Sequence, residues 1–283
     1  MYLFKKRSDL ISFVVKMKQA GHQIGFIPTM GALHKGHMSL IERSKEENNL
    51  TICSIFINPT QFNDPKDFEK YPQTLSSDID FLSKANCDVL FLPSVQEVYT
   101  DGINEKRADL PLSGLDLILE GSSRPGHFQG VAHVVKLLLD IVKPQSIYLG
   151  QKDFQQVLVI REMIHHFKLP VKIVCSPIIR EPSGLAMSSR NIRLSESTRI
   201  KAGVIHNALV HIEANYRHRS LHELLEEARQ MILQELPDAT IDYLLVADSK
   251  TLETEEERKT NPRVILIAVW VEGVRLLDNI LLP

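Results

Sequence analysis

Two histidines three residues apart, His34 and His37, flank Gly36 in the stretch PTMGALHKGHMSL. Pro28 ends the apolar run before it, Gly31 permits a sharp turn, and a helix is expected to start near His37. Backbone N–H groups at a helix start point outward and attract anions. Imidazoles placed there add side-chain donors aimed at the same spot. Gly36 has no Cβ, so a flat ring such as adenine could lie on the backbone. Helix start, glycine and paired imidazoles together suggest a phosphate-and-purine site. Taken alone, HxGH could equally be a turn with surface histidines or half of a metal site. No nearby Cys or acidic cluster completes a ligand set, so no protein-held metal is expected.

Three more stretches carry suitable groups. FINPTQF places Asn58 and Gln61 just beyond an apolar run, and neutral amides suit a polar acid with hydroxyl and carboxylate groups. SIYLGQKDFQQ offers Gly150, a positive charge on Lys152, an acceptor for ribose hydroxyls on Asp153, and Gln156 one turn further along. GLAMSSRN sets Ser188, Ser189, Arg190 and Asn191 after Gly184, a polar knot able to wrap a triphosphate. Each has a plainer reading on its own: an Asn-Pro turn, a solvated loop pair, a linker whose Ser195 caps a helix. Arg124 and His127 in SSRPGHFQGV could reach phosphate or simply order their loop. Neither GxxxxGK[ST] nor GxGxxG occurs.

The elements that must position these groups alternate. Ile24 to Pro28, Thr51 to Ile57, Asp88 to Leu92, Ser146 to Leu149 and Val171 to Ser176 read as strands. Between them lie helical spacings: Leu10, Val14, Met17; Leu40, Ile41, Ser44; Leu75, Ile79, Leu82; and Val131, Val134, Val135, Leu138, Ile141. This is an α/β pattern, predicting a Rossmann-like parallel sheet with helices on both faces and ligands at the carboxyl ends of its strands. Residues 1–180 form that domain. Residues 181–283, entered through the segment Ile179 to Arg193, read as a smaller, lid-like α+β domain. There Ser195 to Gln234 makes one or two amphipathic helices, Ile241 to Ala247 and Val264 to Val271 make strands, TLETEEERKTNP a charged loop, and Glu272-Gly273 a tight turn into Val274 to Leu277.

Composition narrows the class. The chain has 283 residues, 43% of them hydrophobic and 24% charged, with a formal net charge of −2. That fits a globular protein and lacks the basic excess of a dedicated nucleic-acid binder. The longest apolar run, Val264 to Val271, falls far short of the ~20 residues a membrane helix needs, so no membrane partner is expected. The charges of MYLFKKRSDL sit where a signal peptide would be apolar. Cys53, Cys87 and Cys175 are odd in number and widely spaced, which suits a reducing, cytoplasmic setting.

PTMGALHKGH resembles the HIGH-type element of class I adenylating enzymes, and MSSRN their KMSKS-type element. The ordered set FINPTQF, EGSSRPGHFQGV, GQKDFQQ and GLAMSSRN, with the C-terminal RVILIAVWVEGVRLLDN, resembles the pantothenate synthetase (pantoate–β-alanine ligase) family over nearly the whole chain. Small departures are Thr60, where an apolar residue is expected, and Pro182-Ser183, where a charged pair is common. The resemblance implies a cytoplasmic homodimer that uses ATP, Mg²⁺, (R)-pantoate and β-alanine, passing through pantoyl adenylate. It implies ATP binding by Met30, Gly31, Ala32, Leu33, His34, Lys35, Gly36, His37, Gly150, Gln151, Lys152, Asp153, Ile179, Met187, Ser188, Ser189 and Arg190. Gln61 and Gln156 would hold pantoate, with Gln61 also near β-alanine, and Asn58 is placed with them. His34, His37 and Lys152 are the expected catalytic groups, His37 as a proton donor or, more cautiously, a hydrogen-bond donor to phosphate. Two rivals stand beside this reading. A nucleotidyltransferase that keeps AMP would want extra basic residues for a second substrate phosphate. An RNA-binding relative of the tRNA synthetases is disfavoured by the charge of −2.

Overall fold

The structure, a computed structural model, describes residues 1–62, 68–69, 71–103, 109–254 and 262–282. The expected charged loop TLETEEERKTNP lies mostly outside the described residues. The chain forms two compact units: Met1–Gly150 with Gln155–Ser176, and Gln151–Phe154 with Pro177–Pro283. The break after residue 180 read from the sequence thus compares with one after Ser176, and a four-residue excursion at Gln151 accompanies it.

The first unit is built on a six-stranded sheet. Its strands are β1 (Tyr2–Phe4), β2 (Ile24–Thr29), β3 (Leu50–Ile55), β4 (Val89–Phe91), β5 (Ser146–Gly150) and β6 (Lys172–Ser176). Every pairing is parallel and the order is β1-β4-β3-β2-β5-β6. The inner strands β2, β3 and β4 are mostly apolar and buried at all but one position because both faces are covered. The covering helices are α1 (Arg7–Gln19), α2 (Lys35–Glu47), α3 (Leu75–Lys84), α4 (His127–Val142) and α5 (Phe154–His166). On one face Leu40 and Ile41 of α2 and Leu82 of α3 pack on Ile27, Cys53, Ile55 and Leu90. Against the other, α4 contacts α1 and β2, and its Val131, Val134, Val135, Leu138 and Ile141 are all buried. Each such side chain contributes ~1.5–3 kcal/mol by leaving water. The order reverses between β2 and β5, so the carboxyl ends of those two strands flank the crevice where such sheets bind ligands.

In the second unit, α6 (Glu196–Lys201), α7 (Val204–Asn215) and α8 (Leu221–Glu235) precede an antiparallel sheet of β7 (Thr240–Asp248), β8 (Arg263–Val271) and β9 (Val274–Leu282). Ile205, Leu209 and Ile212 of α7 and Leu224, Ala228 and Ile232 of α8 share one core with Leu244, Val246, Ile265 and Ile267. Three helices stand where one or two were expected. The first ends at Lys201 with Ala202 as its C-cap, and the second stops at Asn215, before Ser220, the cap residue of the third. Ser195 caps α6 as anticipated, its Oγ accepting the Thr198 N–H at 3.3 Å. Among the described residues no helix is long and apolar enough to cross a membrane.

Candidate active site

In the first unit the site starts where β2 ends. Thr29 Oγ1 donates to the Ser54 carbonyl at 2.7 Å and accepts the Gly31 N–H at 3.2 Å. The chain then turns through Gly31 (φ +84°) and Ala32 (φ +50°). A left-handed alanine costs ~1–2 kcal/mol, and the loop needs an anchor. Asp78 supplies it. Its carboxylate accepts the N–H of Ala32 at 3.0 Å and of Leu33 at 2.8 Å, and the Thr74 hydroxyl at 3.2 Å. Asp78 is buried, whereas Leu75, expected on the apolar stripe of α3, is exposed. The carboxylate takes the inward position because the loop's N–H groups meet it there.

α2 begins at Lys35, two residues before the expected start, with His34 as its N-cap. The reason is a capping box made of imidazoles. His34 Nδ1 accepts the Gly36 N–H at 3.1 Å, and His37 Nδ1 accepts the His34 N–H at 3.2 Å. The ring centroids lie 4.2 Å apart. A Cβ on Gly36 would come within 2.8 Å of His34 Cε1, so in this chain the missing side chain makes room for the His34 ring. A backbone N–H can only donate. Each Nδ1 is therefore an acceptor, and the proton of each neutral ring sits on Nε2. The two rings are thereby set as Nε2–H donors at a helix N-terminus.

The loop after β3 lies beside them. Gln61 Nε2 is 2.8 Å from Met30 Sδ. Asn58 has no exposed surface, and both ends of its amide are engaged. Nδ2 donates to Gln61 Oε1 at 3.2 Å and to the Gly130 carbonyl at 3.3 Å, while Oδ1 accepts the Tyr99 hydroxyl at 2.6 Å and the Thr60 hydroxyl at 3.1 Å. The sequence places Asn58 with the substrate ligands; in the structure its amide holds Gln61. Thr60, the departure from the family pattern, is part of this network. His127 Nδ1 lies 2.7 Å from the Gln61 carbonyl, which can only accept, so the ring donates there and turns Nε2 toward Arg124, 3.4 Å away. This contact ties His127 to the loop that carries Gln61. Gln156 on α5 is half-buried. Its neighbour Gln155 is buried, and its Nε2 donates to the carbonyls of Leu115 and Ile118 at 2.6 and 2.8 Å.

The second unit holds the remaining candidates. Lys152 Nζ lies 3.3 Å from Asp153 Oδ1 in the turn Gln151–Asp153 that follows Gly150. The carbonyls of Gln151 and Lys152 each accept a hydrogen bond from Asn279 Nδ2 on β9 at 3.0 Å. Ile179 to Met187 is a short hairpin, in which the Met187 N–H donates to the Ile179 carbonyl at 2.9 Å and Arg180 bridges to Ala186. Ser188 caps the turn Ser189–Arg193, its Oγ accepting the Arg190 N–H at 3.3 Å. Buried Asn191 ties that turn to the hairpin through Glu181 Oε1 at 2.7 Å and the Ala186 carbonyl at 3.0 Å. Asp78, Tyr99, Gln155 and Asn279 are not among the residues that the sequence singles out. Only Asp78 leaves a trace there, as a carboxylate at helical spacing from Leu75 and Leu82.

A family model described as pantoate–β-alanine ligase matches residues 2–281. The chain belongs to the pantoate–β-alanine ligase family. A pantothenate synthetase of Cytophaga hutchinsonii is 45% identical over 267 residues, covering 94% of this chain and 93% of the relative. Among solved structures, the pantothenate synthetase of Thermus thermophilus superposes with a TM-score of 0.91 at 37% identity, covering 99% of both chains. The pantoate–β-alanine ligase of Francisella tularensis, described as complexed with β-γ ATP and β-alanine, gives 0.79 at 39% identity, covering 99% of this chain and 97% of its own. Cys53 and Cys87 are buried, and burial pushes the Cys87 thiol up to about 11, away from the thiolate a nucleophile needs. Among the described residues no group of three or more His, Cys, Asp or Glu gathers that could cage a metal ion.

Proposed function

We propose that this ligase joins (R)-pantoate to β-alanine in two steps. A pantoate carboxylate oxygen attacks the α-phosphorus of ATP, the bond to the bridging oxygen breaks, and pyrophosphate leaves. The β-alanine amine, as free base, then attacks the acyl carbon of pantoyl adenylate. The C–O bond breaks and AMP leaves, while the extra amine proton passes to water or to the adenylate's own phosphate.

The observation that carries this reading is the imidazole capping box at the head of α2. It presents two preset Nε2–H donors beside the β2–β5 crevice, suited to the charge that builds on phosphate during adenylation. Met30 to His37 are read as ATP ligands, with His34 and His37 donating hydrogen bonds rather than shuttling a proton through Nδ1. Gln61 and Gln156 are read as pantoate ligands. Asn58 acts through Gln61. In the second unit Lys152, Ser188, Ser189 and Arg190 serve the phosphates, and Ile179 and Met187 the adenine side. Asp153 and Gln151, with Gly150 of the first unit, serve the ribose and its surroundings. Catalysis is then positioning and electrostatics, without a covalent protein nucleophile. Mg²⁺, which neutralises phosphate charge, is proposed to arrive on the triphosphate, since the described residues offer no cage of their own. The same reading makes the enzyme a cytoplasmic homodimer; its free thiols, Cys53 and Cys87 buried and Cys175 partly so, suit a reducing compartment.

The test is stepwise. ATP and (R)-pantoate alone should release pyrophosphate, and adding β-alanine should give the amide and AMP. No pyrophosphate without β-alanine would sink the adenylate route, and no amide with all three substrates would sink the function.

A further inference from the structure

We propose that Asn279 is a positioning residue for Lys152, acting on its backbone and not on the nucleotide. The inference rests on reading Lys152 as a phosphate ligand. Asn279 lies near the end of β9, paired with Leu266 of β8, and is buried. Its Nδ2 donates to the carbonyls of Gln151 and Lys152, and its Oδ1 accepts Gln151 Nε2, all at 3.0 Å. One amide thus makes three hydrogen bonds to two successive residues of the turn Gln151–Asp153.

The turn is only three residues long and runs straight into α5 at Phe154, and the Asn279 amide braces it from outside at two successive carbonyls. The Lys152 side chain is flexible, so where its ammonium can reach depends on how firmly its Cα is fixed. A clamp on the Lys152 carbonyl, mounted on a strand with a continuous ladder, limits that freedom. The requirement is specific to an amide: a carboxylate at 279 would face two carbonyl oxygens with no donor.

The preceding residue does the matching job for the other phosphate-side segment. Asp278, also buried, accepts from Arg180 Nη1 at 2.6 Å and Nη2 at 2.9 Å, and Arg180 Nη1 also donates to the Gly184 carbonyl at 3.1 Å. Two adjacent residues of one strand therefore hold both the turn bearing Lys152 and the hairpin that leads to Met187–Arg190.

A double-mutant cycle on pyrophosphate release from ATP and (R)-pantoate tests the assignment, with a thermal melt on every variant. Asn279→Ala should lower kcat for adenylation ~10-fold or more, since small misplacements of a charged group are costly, and should leave the KM for pantoate unchanged. Added to Lys152→Ala, it should lower the rate no further. Asn279→Asp keeps the shape and the acceptor for Gln151 while removing both donated bonds. It should give the same loss and the same lack of additivity, and it carries the cycle if the alanine variant fails to fold. Wild-type kcat in a folded Asn279 variant, or losses that multiply with that of Lys152→Ala, would overturn the inference while leaving Lys152 in its role. A wild-type rate for Lys152→Ala alone would instead remove the reading of Lys152, and the inference with it.

Discussion

The carboxylate of Asp78 on α3 accepts the N–H of Leu33 at 2.8 Å, and through its other oxygen that of Ala32 at 3.0 Å, so one helix holds the loop that leads into another. Asp78→Asn keeps the size but can offer an acceptor to only one of the two amides and turns an N–H₂ group toward the other. Hydrogen bonds to charged groups contribute ~1.5–3 kcal/mol, so denaturant melts should show a destabilisation of ~2 kcal/mol. The loop carries the imidazole cap, so the rate of pyrophosphate release should fall as well, at least ~10-fold. A variant as stable and as fast as wild type would show that the loop holds its shape unaided.

The capping role of His37 and its proposed donation to phosphate can be separated. At the third helical position Gln also reaches back to a cap N–H. His37→Gln should therefore keep stability within ~0.5 kcal/mol of wild type, while His37→Ala should lose ~1 kcal/mol with the cap. Both should lose ~10²-fold or more in adenylate formation, because neither places an imidazole N–H at the phosphate. Parallel melts and pyrophosphate assays read the two effects; normal adenylation in either variant would reject the donor role.

Tyr99 is linked through Asn58 to Gln61, a proposed pantoate ligand, its hydroxyl lying 2.6 Å from Asn58 Oδ1 and 3.1 Å from the Thr60 hydroxyl. Tyr99→Phe leaves Asn58 with its other partners but loosens the grip on Gln61. The expected result is a several-fold rise in the KM for pantoate with the KM for ATP unchanged, and Gln61→Ala should show the same pattern more strongly. Equal shifts in both constants would mean that Tyr99 supports the fold generally.

Much of the architecture could be read directly because burial on two faces leaves a plain trace. β2 and β3 are largely apolar and buried at all but one position, and Leu40, Ile41 and Ser44 of α2, grouped by period alone, are all buried. β1 escaped notice because three largely exposed residues beside a basic run carry no such trace. In the candidate site, type and spacing pointed to His34 and His37, yet which ring nitrogen faces the helix depends on the backbone angles at the cap. Asn58 shows the same limit: an amide after a strand suits a ligand or a brace equally, and its burial and its four partners show only in the structure. Asn279 was invisible, since its partners lie far away in the chain and one amide in an apolar strand has no local signature.

Tyr148 gives the fold a pH dependence with a definite sign. Its ring is buried on β5, and its hydroxyl donates to Glu47 Oε2 at 2.9 Å and accepts from Asn48 Nδ2 at 2.6 Å. Burial, then the bond to the Glu47 carboxylate, pushes the hydroxyl up to about 12. An unfolded tyrosine ionises near ~10. Between these values the unfolded chain has lost the proton and the folded one keeps it, so stability falls as pH rises. The contribution is fully present below pH ~10 and is lost by the folded-state value, an effect on the order of 2 kcal/mol. Tyr148→Phe should cost ~1 kcal/mol at pH 7 through the lost hydrogen bonds. Above pH ~10 the variant should lose stability less steeply than wild type, by up to one proton's worth of slope. Denaturant melts at intervals from about pH 8 to about pH 11.5 measure both slopes, and parallel curves for the two proteins would show that Tyr148 ionises as it does in the unfolded chain.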